Sequence, residues 1–325
     1  MKIGVIGTGR IGKLHISALK KLGCPFLYAY DADVAAANDP LLADIFVSSI
    51  DALFAKGLDG VIIASPSNFH IEHVKLAAEK GVDIFCEKPL GLDLEEIDQA
   101  LKITKQANVK LQVGFNRRFD ENFSQLKKVI STSNEKPHVI KITSRDPGLP
   151  SAEYIQKSGG LFMDMMIHDL DMACFLADAK PVSIHVIASC LVDPAIREMD
   201  DVDTAIALIK FENGIMASID NCRHASYGYD QRVEVYNHQE IWSVNNCHQN
   251  AIGHWDKDGY HQGQLQNFFM QRYQGAYFNQ IKHFVDCIKS DTSPLVNGED
   301  GRLAVQLAQA ALQSYQQQIP IMGVV

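Results

Sequence analysis

Ionisable side chains interrupt an otherwise apolar stretch at residues 159–178, GGLFMDMMIHDLDMACFLAD. Asp164 and His168 are four residues apart and Asp171 follows three residues later, so on one α-helix these three side chains share a face. A helix that is apolar nearly all round is buried, and burying an unpaired Asp or His costs on the order of a few kcal/mol. The polar stripe is therefore predicted to face a polar cavity or a partner.

Three kinds of site fit this stripe. Buried polar groups are generally paired, so it can be a hydrogen-bonded structural cluster. An aspartate and a histidine at this spacing can also share a metal ion, but no second histidine stands at a usable spacing, and no metal is predicted. The third interpretation is an acid–base site for a substrate. It fits best because the chain also carries a lysine at a strand end and a glycine pattern near its N-terminus.

A lysine ends another apolar run, in FCEKPLG at residues 85–91. At a strand tip in solvent, Lys88 would be an ordinary solvated charge. At a strand tip that faces a cofactor crevice, it would be held there for chemistry. Pro89 would stiffen the tip and remove a competing N–H group.

A glycine pattern, GTGRIG, follows the first apolar run, KIGVI at residues 2–6, and opens an amphipathic helical stretch. Gly7 permits a tight turn, Gly9 lets the backbone approach a pyrophosphate, and Gly12 lets helix and strand pack closely. Asp31 stands at the end of the next apolar run, where a dinucleotide-binding fingerprint requires an acid. A carboxylate there accepts hydrogen bonds from ribose hydroxyls and repels a 2′-phosphate, so NAD is predicted rather than NADP.

Positioning these groups requires alternating strands and helices. Short apolar runs at 26–30, 60–64, 83–87 and 110–115 are separated by helical patterns, which predicts a parallel sheet covered on both faces. Ligands of such sheets bind outside the carboxyl ends of the strands. Besides the three glycines and Asp31, the predicted cofactor contacts are Arg10, Ile11, Ser65, Pro66, Asn68, His70, Glu87, Lys88 and Arg117. For His70, a helix-start histidine without a chemical role is the alternative.

From about residue 120 the pattern changes to strands, several of which alternate polar and apolar residues; apart from the helix at 159–178, helical patterns dominate only from about residue 268. The fold predicted is α/β: an N-terminal Rossmann dinucleotide-binding domain at 1–119, then a C-terminal α+β domain at 120–325 built on a large, mainly antiparallel sheet. The tight ENG at 212–214 predicts a hairpin. The polar segment 245–267, with Trp255, is either a loop over the substrate site or an exposed connection.

Composition excludes several classes of protein. The net charge of −9 over 325 residues gives no reason to expect a nucleic-acid or anionic-membrane partner. No run of about 18 apolar residues occurs, so no membrane span is predicted. Seven cysteines without a CxxC pair fit reduced thiols, and a cytoplasmic location is expected.

These motifs together resemble the Gfo/Idh/MocA oxidoreductases. The resemblance is carried by GTGRIG, SPSNFH, EKP, GFNRRFD, GGLFMDMMIHDLDM, ENG and YGYDQRVEVYN, and RYQGAYFNQIKHFVDCI extends it nearly to the end of the chain. The occurrence of EKP followed by GGxxxDxxxHDxD is highly specific for this family. The resemblance implies a Rossmann domain followed by an α/β domain whose sheet mediates homo-oligomers, tetramers or dimers.

The resemblance also implies roles for three residues. Lys88 takes the place of the lysine that contacts both substrate and cofactor, and Asp164 and His168 match the family's catalytic aspartate and histidine. Oxidation of an alcohol requires a base about 3 Å from its hydroxyl. His168 is predicted as that base, oriented by Asp164, with Lys88 donating a hydrogen bond to the reacting oxygen; Lys88 stays open as the alternative base. The predicted substrate contacts are Lys88, Arg117, Asp146, Asp164, His168, Asp169 and Tyr229.

The expected substrate comes from two further segments, SRDPGLP at 144–150 and YGYDQR at 227–232. They are similar to the branch of the family that acts on inositols, although Leu149 stands where that branch often has proline. The resemblance therefore implies NAD-dependent oxidation of a secondary alcohol of a cyclic polyol, in the first place myo-inositol to 2-keto-myo-inositol (scyllo-inosose). A same-family dehydrogenase for another sugar, sugar acid or dihydrodiol stays open, as does an NAD-binding regulator without turnover.

Overall fold

The computed structural model describes residues 1–324, apart from the side chain of residue 157, and the chain divides into two compact units. The first unit contains residues 1–119 and 276–305, and the second contains residues 120–275 and those from 306 onward. The division after residue 119 falls where the domain boundary was predicted. Residues 276–305 were assigned to the second domain from the sequence, and the structure places them in the first unit.

The first unit is built on a five-stranded sheet in which all strands are parallel, as predicted. Its spatial order is β2-β1-β3-β4-β5, so the order reverses beside β1 and all carboxyl ends lie at one edge. The elements are β1 (Lys2–Ile6), α1 (Arg10–Lys21), β2 (Phe26–Tyr30), α2 (Ile50–Phe54), β3 (Gly60–Ile63), α3 (His70–Glu79), β4 (Asp83–Cys86), α4 (Leu94–Gln106) and β5 (Leu111–Val113), with 3-10 turns at Val34–Asn38, Ser67–Phe69 and Asn116–Phe119.

The core of the first unit explains why residues 276–305 belong to it. Ile3 and Val5 of β1 share one buried cluster with Ile281, Phe284 and Val285, which come from a helix far along the chain. Without these side chains, one face of β1 would expose a band of apolar surface to water.

The second unit contains a seven-stranded sheet in the order β11-β10-β6-β9-β8-β7-β14, in which only β6 and β9 pair in parallel. This is the mainly antiparallel sheet that was predicted, and the ENG turn joins β8 to β9 as expected. Its elements are α5 (Glu121–Thr132), β6 (Val139–Arg145), α6 (Ala152–Ser158), α7 (Ile167–Ala177), β7 (Pro181–Ser189), α8 (Pro194–Arg197), β8 (Thr204–Phe211), β9 (Met216–Cys222), β10 (Asp230–Tyr236), β11 (Ile241–Val244), β12 (Gly253–Asp256), β13 (Gly259–Gln262), α9 (Phe269–Arg272), α10 (Gln274–Ser290), α11 (Gly298–Gln317) and β14 (Ile321–Met322). Of these, α10 from residue 276 and α11 up to residue 305 lie in the first unit.

Two departures from the predicted elements concern the polar segment and the apolar helix. Strands β12 and β13 form an exposed hairpin within 245–267, with the rings of Trp255 and Tyr260 4.7 Å apart. The two residues between the strands are Lys257 and Asp258, and Gly259 follows them with φ of +132°. Its predicted place over a substrate site stays a prediction.

The stretch 159–178 is not one continuous helix. Gly159 and Gly160 have φ of +83° and +78° and mark the end of α6, and a π-helical turn at Phe162–Met166 precedes α7. A Cβ at Gly160 would lie 2.8 Å from a carboxylate oxygen of Asp201, so glycine is required there for space as well as for backbone conformation. Such π-turns are frequent at functional sites.

None of the helices in residues 1–324 combines the length and the apolar character that crossing a membrane requires.

Candidate active site

The turn between β1 and α1 has the shape of an anion site. Gly7 has φ of +90°, and a Cβ on Gly12 would lie 2.0 Å from the Gly7 carbonyl oxygen, so α1 can start this close to the strand only with glycine there. A Cβ on Gly9 would meet nothing within 4 Å, and no side chain caps the helix. No acidic residue occupies the first turn of α1. The free N–H groups and the helix dipole therefore favour a phosphate group, and this loop fits a dinucleotide.

Asp31, at the tip of the neighbouring strand β2, is held as a carboxylate. Its Oδ2 accepts hydrogen bonds from the Thr8 N–H (2.6 Å) and the Thr8 hydroxyl (2.8 Å), and its Oδ1 accepts one from the Asp33 N–H (3.0 Å). Partial burial opposes ionisation, but these hydrogen bonds outweigh it and lower the pKa of Asp31. A carboxylate can accept about four hydrogen bonds, so Asp31 keeps capacity for a ribose hydroxyl. Thr8 was missed from the sequence.

His70 joins the loops that follow β3 and β4. Its Nδ1 lies 2.7 Å from the Pro89 carbonyl oxygen and its Nε2 lies 2.9 Å from the Ser65 carbonyl oxygen. The ring is buried, and burial lowers the pKa of His70 although the two carbonyl contacts act in the opposite direction. Since both ring nitrogens are engaged inside the protein, His70 fits a structural clamp beside Lys88 better than the predicted cofactor contact.

Glu87 is likewise engaged inside the first unit. Its Oε1 lies 2.7 Å from Nε2 of His15, a fully buried residue of α1 whose ring packs edge-on against Phe85. This pair joins the helix of the glycine loop to the end of β4. Glu87 was predicted to contact the cofactor, and in the structure one of its carboxylate oxygens helps to fix the strand tip that carries Lys88. His15 gave no signal in the sequence beyond its place on the inner face of a helix.

The other residues predicted to bind the cofactor lie where the sequence placed them, in loops at the carboxyl ends of the strands. Lys88 is partly exposed, and Arg117 is buried in the 3-10 turn after β5. The remaining positions, which are exposed or partly exposed, are Gly9, Arg10, Ile11, Ser65, Pro66 and Asn68.

In the second unit, Asp164 and His168 are the two partly exposed residues between positions 161 and 174; all others in that range are buried. The predicted stripe of three polar residues therefore contains two, because Asp171 is buried. Asp164 lies in the π-turn and His168 in α7. The two side chains reach the surface from an apolar segment, as an acid–base pair would need to do.

Asp164 is bound from two sides. Its Oδ1 accepts a hydrogen bond from the half-exposed Tyr154 hydroxyl at 2.8 Å, and its Oδ2 lies 3.4 Å from Nη1 of the fully buried Arg223. Partial burial and the Asp164 carboxylate raise the pKa of Tyr154. Neither partner is indicated by the sequence, because neither stands at a helical spacing from Asp164.

Asp169 was predicted to contact substrate, but the structure gives it a different environment. It is fully buried, and its two carboxylate oxygens accept hydrogen bonds from the Ser144 hydroxyl (2.6 Å) and the Asn221 amide (2.8 Å). Ser144 lies on β6 and Asn221 on β9, so Asp169 anchors α7 to the centre of the sheet. The structural-cluster interpretation therefore applies to this member of the motif.

The two other predicted substrate contacts of the second unit differ in exposure. Tyr229 is buried and meets Tyr273 edge-on at 6.1 Å, which fits a packing role. Asp146 is partly exposed, and its backbone is fixed by hydrogen bonds to Cys222 and Ala225.

Within residues 1–324, no group of three or more His, Cys, Asp or Glu side chains is placed to hold a metal ion.

Comparison with known proteins agrees with this geometry. Residues 1–115 match the oxidoreductase family with an NAD-binding Rossmann fold, and residues 124–240 match the GFO/IDH/MocA C-terminal domain. The chain is 38% identical to the myo-inositol 2-dehydrogenase of Thermotoga maritima, over 98% of this chain and 97% of that protein.

Two solved structures are similar over almost their whole length. A myo-inositol dehydrogenase from Corynebacterium glutamicum has a TM-score of 0.92 and 31% identity, covering 99% of this chain and 98% of that one. A scyllo-inositol dehydrogenase from Lactobacillus casei, solved with NAD(H) and scyllo-inositol, has a TM-score of 0.92 and 26% identity, covering 100% of this chain and 99% of that one.

The parallel sheet, the glycine loop and the acid at the tip of β2 define an NAD-binding oxidoreductase. The chain belongs to the GFO/IDH/MocA family, which confirms the resemblance of its motifs.

Replacing Asp31 with serine is expected to weaken the preference for NAD over NADP, because the carboxylate that repels a 2′-phosphate is removed. The ratio of kcat/KM with NAD to kcat/KM with NADP should fall at least about tenfold, the equivalent of roughly 1.4 kcal/mol. The control is Asp33→Ser, since Asp33 is exposed and serine can replace its cap on the following turn. An unchanged ratio in the Asp31 variant would exclude this role.

Proposed function

We propose that the protein oxidises myo-inositol to 2-keto-myo-inositol (scyllo-inosose) with NAD. The observation that carries this proposal is the 38% identity, over nearly the whole chain, to a myo-inositol 2-dehydrogenase. The partly exposed pair Asp164 and His168 in an otherwise buried segment supports it, because a dehydrogenase needs an acid–base group at the surface of a rigid element.

NAD, when bound, accepts a hydride from the alcohol carbon. The residues proposed to hold it lie in the loops at the carboxyl ends of the strands, without His70 and Glu87, whose side chains contact other parts of the first unit. They are Gly7, Gly9, Arg10, Ile11, Gly12, Asp31, Ser65, Pro66, Asn68, Lys88 and Arg117.

His168 is proposed to take the hydroxyl proton, and Asp164 to orient its imidazole and stabilise the imidazolium that forms. Lys88 donates a hydrogen bond to the reacting oxygen and stabilises negative charge as it develops there. Lys88 as the base is the alternative assignment. Arg117 and Asp146 are proposed as further contacts for polyol hydroxyls. Asp169 and Tyr229 are not retained, because both are buried and engaged within the second unit.

The test is the initial rate of NADH formation with a panel of myo-, scyllo- and chiro-inositol, glucose and other sugars, with NAD and with NADP. Highest kcat/KM for myo-inositol with NAD is the expected result. Preference for scyllo-inositol, which the Lactobacillus casei relative was solved with, would keep the reaction and change the substrate. Tight NAD binding without turnover of any polyol or sugar would contradict the proposal and favour a regulator.

Replacing Lys88 with alanine is expected to lower kcat by about 100-fold or more, the typical cost of one donor to a developing negative charge. Binding of NAD, measured by protein fluorescence, should change little, since the glycine loop and Asp31 are untouched. Lys80→Ala, an exposed lysine at the end of α3, is the matched control and should leave kcat unchanged. A near-normal kcat in the Lys88 variant would remove its catalytic role.

We also propose that the chain forms a homo-oligomer through one face of the seven-stranded sheet. Along β8, the buried residues Ala205, Ala207 and Ile209 alternate with the exposed Ile206 and Leu208. Ile187 of β7 and Met216 of β9 extend this apolar patch. Monomeric proteins rarely expose a large continuous apolar patch. The salt bridge Lys141–Glu234 lies on the same face. In a dimer with two-fold symmetry, the second copy would place the same apolar and charged side chains opposite this face.

Leu208→Glu is expected to break this contact, because it places a charge at the centre of the apolar patch where no partner is available. Light scattering after size exclusion should show the molecular mass falling at least about twofold, as expected when a closed dimer contact is lost. The control is Leu295→Glu, an exposed leucine of the first unit, with an unchanged mass. An unaltered mass for the Leu208 variant would place the interface elsewhere.

A cytoplasmic location is proposed on the cysteines, all seven of which are free thiols, as is usual in reducing compartments. Cell fractionation tests it, and recovery in an oxidising compartment would contradict it.

A further inference from the structure

Arg223 is among the largest fully buried side chains of the protein. Its guanidinium lies between two carboxylates of the second unit: Nη1 is 3.4 Å from Oδ2 of Asp164, and Nη2 is 3.4 Å from Oδ2 of Asp201. Its backbone N–H donates to the Asp203 carbonyl oxygen at 2.8 Å, which fixes the start of the side chain. Nε has no hydrogen-bond partner among the described residues. The guanidinium is therefore satisfied chiefly by these two carboxylates.

Burying a cation costs free energy unless an anion pairs with it, so Arg223 requires at least one carboxylate beside it. A single aspartate would neutralise Arg223 and leave the molecule uncharged at that point. The second carboxylate makes the group of three net negative, with the excess charge shared by Asp164 and Asp201. Asp164 is the member nearer to solvent, with 14% of its side chain exposed against 8% for Asp201.

Asp201 is itself held in place, which gives the guanidinium a fixed support. Its Oδ1 accepts a hydrogen bond from the Leu161 N–H at 2.9 Å, at the entry to the π-turn that carries Asp164. Gly160 allows this approach, because any Cβ there would collide with the Asp201 carboxylate. Arg223 thus links the beginning of the π-turn to the carboxylate within it.

We propose that Arg223 is a positioning residue for the dehydrogenase reaction: it holds Asp164 ionised and turns Oδ2 inward, so that Oδ1 faces the exposed side. Tyr154 already donates to Oδ1 on that side. Arg223 touches neither substrate nor cofactor in this proposal and acts through Asp164 alone. The inference rests on the proposed function, in which Asp164 supports His168.

The charged and titratable groups around Asp164 define what removal of Arg223 would do. Among the described residues they include Tyr154 of α6, Arg223 after β9, and His168 one turn further along the same segment. Asp201 lies on the far side of the guanidinium, and Asp146 acts on Tyr154 through its charge. Arg223 is a cation in direct contact with Asp164. Without it, Asp164 would lose this positive charge while staying near Asp201, and it would take up a proton more readily.

The experiment compares Arg223→Met with wild type in the inositol assay across pH. We expect kcat to fall on the order of 10- to 100-fold, as for the loss of one hydrogen bond to a charged group. The acid limb of the kcat profile should move to higher pH by about one unit, because Asp164 must be ionised to act. Arg232→Met is the matched control, since Arg232 is also bound to an aspartate, Asp230, but is half-exposed and has no contact with Asp164.

Arg223→Lys separates charge from geometry, because one ammonium group cannot bridge two carboxylates as a guanidinium does. It should keep the wild-type acid limb and lose at least about threefold in kcat. A folded Arg223→Met enzyme with wild-type kcat and pH profile would overturn the proposal. If Arg223→Met does not fold, a fully wild-type Arg223→Lys enzyme would overturn it.

A second measurement does not depend on turnover. In protein labelled with 13C at aspartate carboxyl groups, the resonance absent from Asp164→Asn identifies Asp164. Its titration midpoint should lie about one pH unit higher in Arg223→Met than in wild type. An unchanged midpoint would refute the inference even if wild type oxidises no inositol. Wild-type inactivity with a shifted midpoint would refute the proposed function alone.

Discussion

The carboxylate of Asp169 determines where the second unit can place the proposed acid–base pair, Asp164 and His168. It is fully buried and binds Ser144 on β6 and Asn221 on β9, the central parallel pair of the sheet. Because both carboxylate oxygens are hydrogen-bonded to the sheet, the position of α7 on the sheet and its rotation about its own axis are fixed. His168 directly precedes Asp169, so its exit to the surface is set by a hydrogen-bonded core rather than by apolar packing, which tolerates rotation.

The first unit uses the same principle at the strand tips. The buried contact between His15 and Glu87 joins α1 to the end of β4, and His70 joins the loops after β3 and β4. Loops at the edge of a parallel sheet would otherwise move independently of one another. The polar residues beneath these loops therefore fix the glycine turn and Lys88 relative to each other. The functional surface thus depends on polar groups that lie below it.

The sequence predicted what short-range patterns determine. The parallel strands, the glycine turn, the ENG hairpin and a polar stripe with Asp164 and His168 all follow from patterns within single segments. What it could not predict depends on contacts between distant segments. Arg223 approaches Asp164 only because the sheet brings the end of β9 beneath the π-turn, and Asp169 faces inward although its type and motif suggested a ligand contact.

The return of the chain into the first unit has a consequence for its biogenesis. The cluster around Ile3 and Val5 is completed by Ile281, Phe284 and Val285, and residues 120–275 are synthesised in between. All five strands of the sheet are therefore synthesised before the helix that covers β1. Domains generally fold as units when their last segment emerges. The core of the nucleotide-binding unit therefore stays incomplete until most of the second unit has left the exit tunnel.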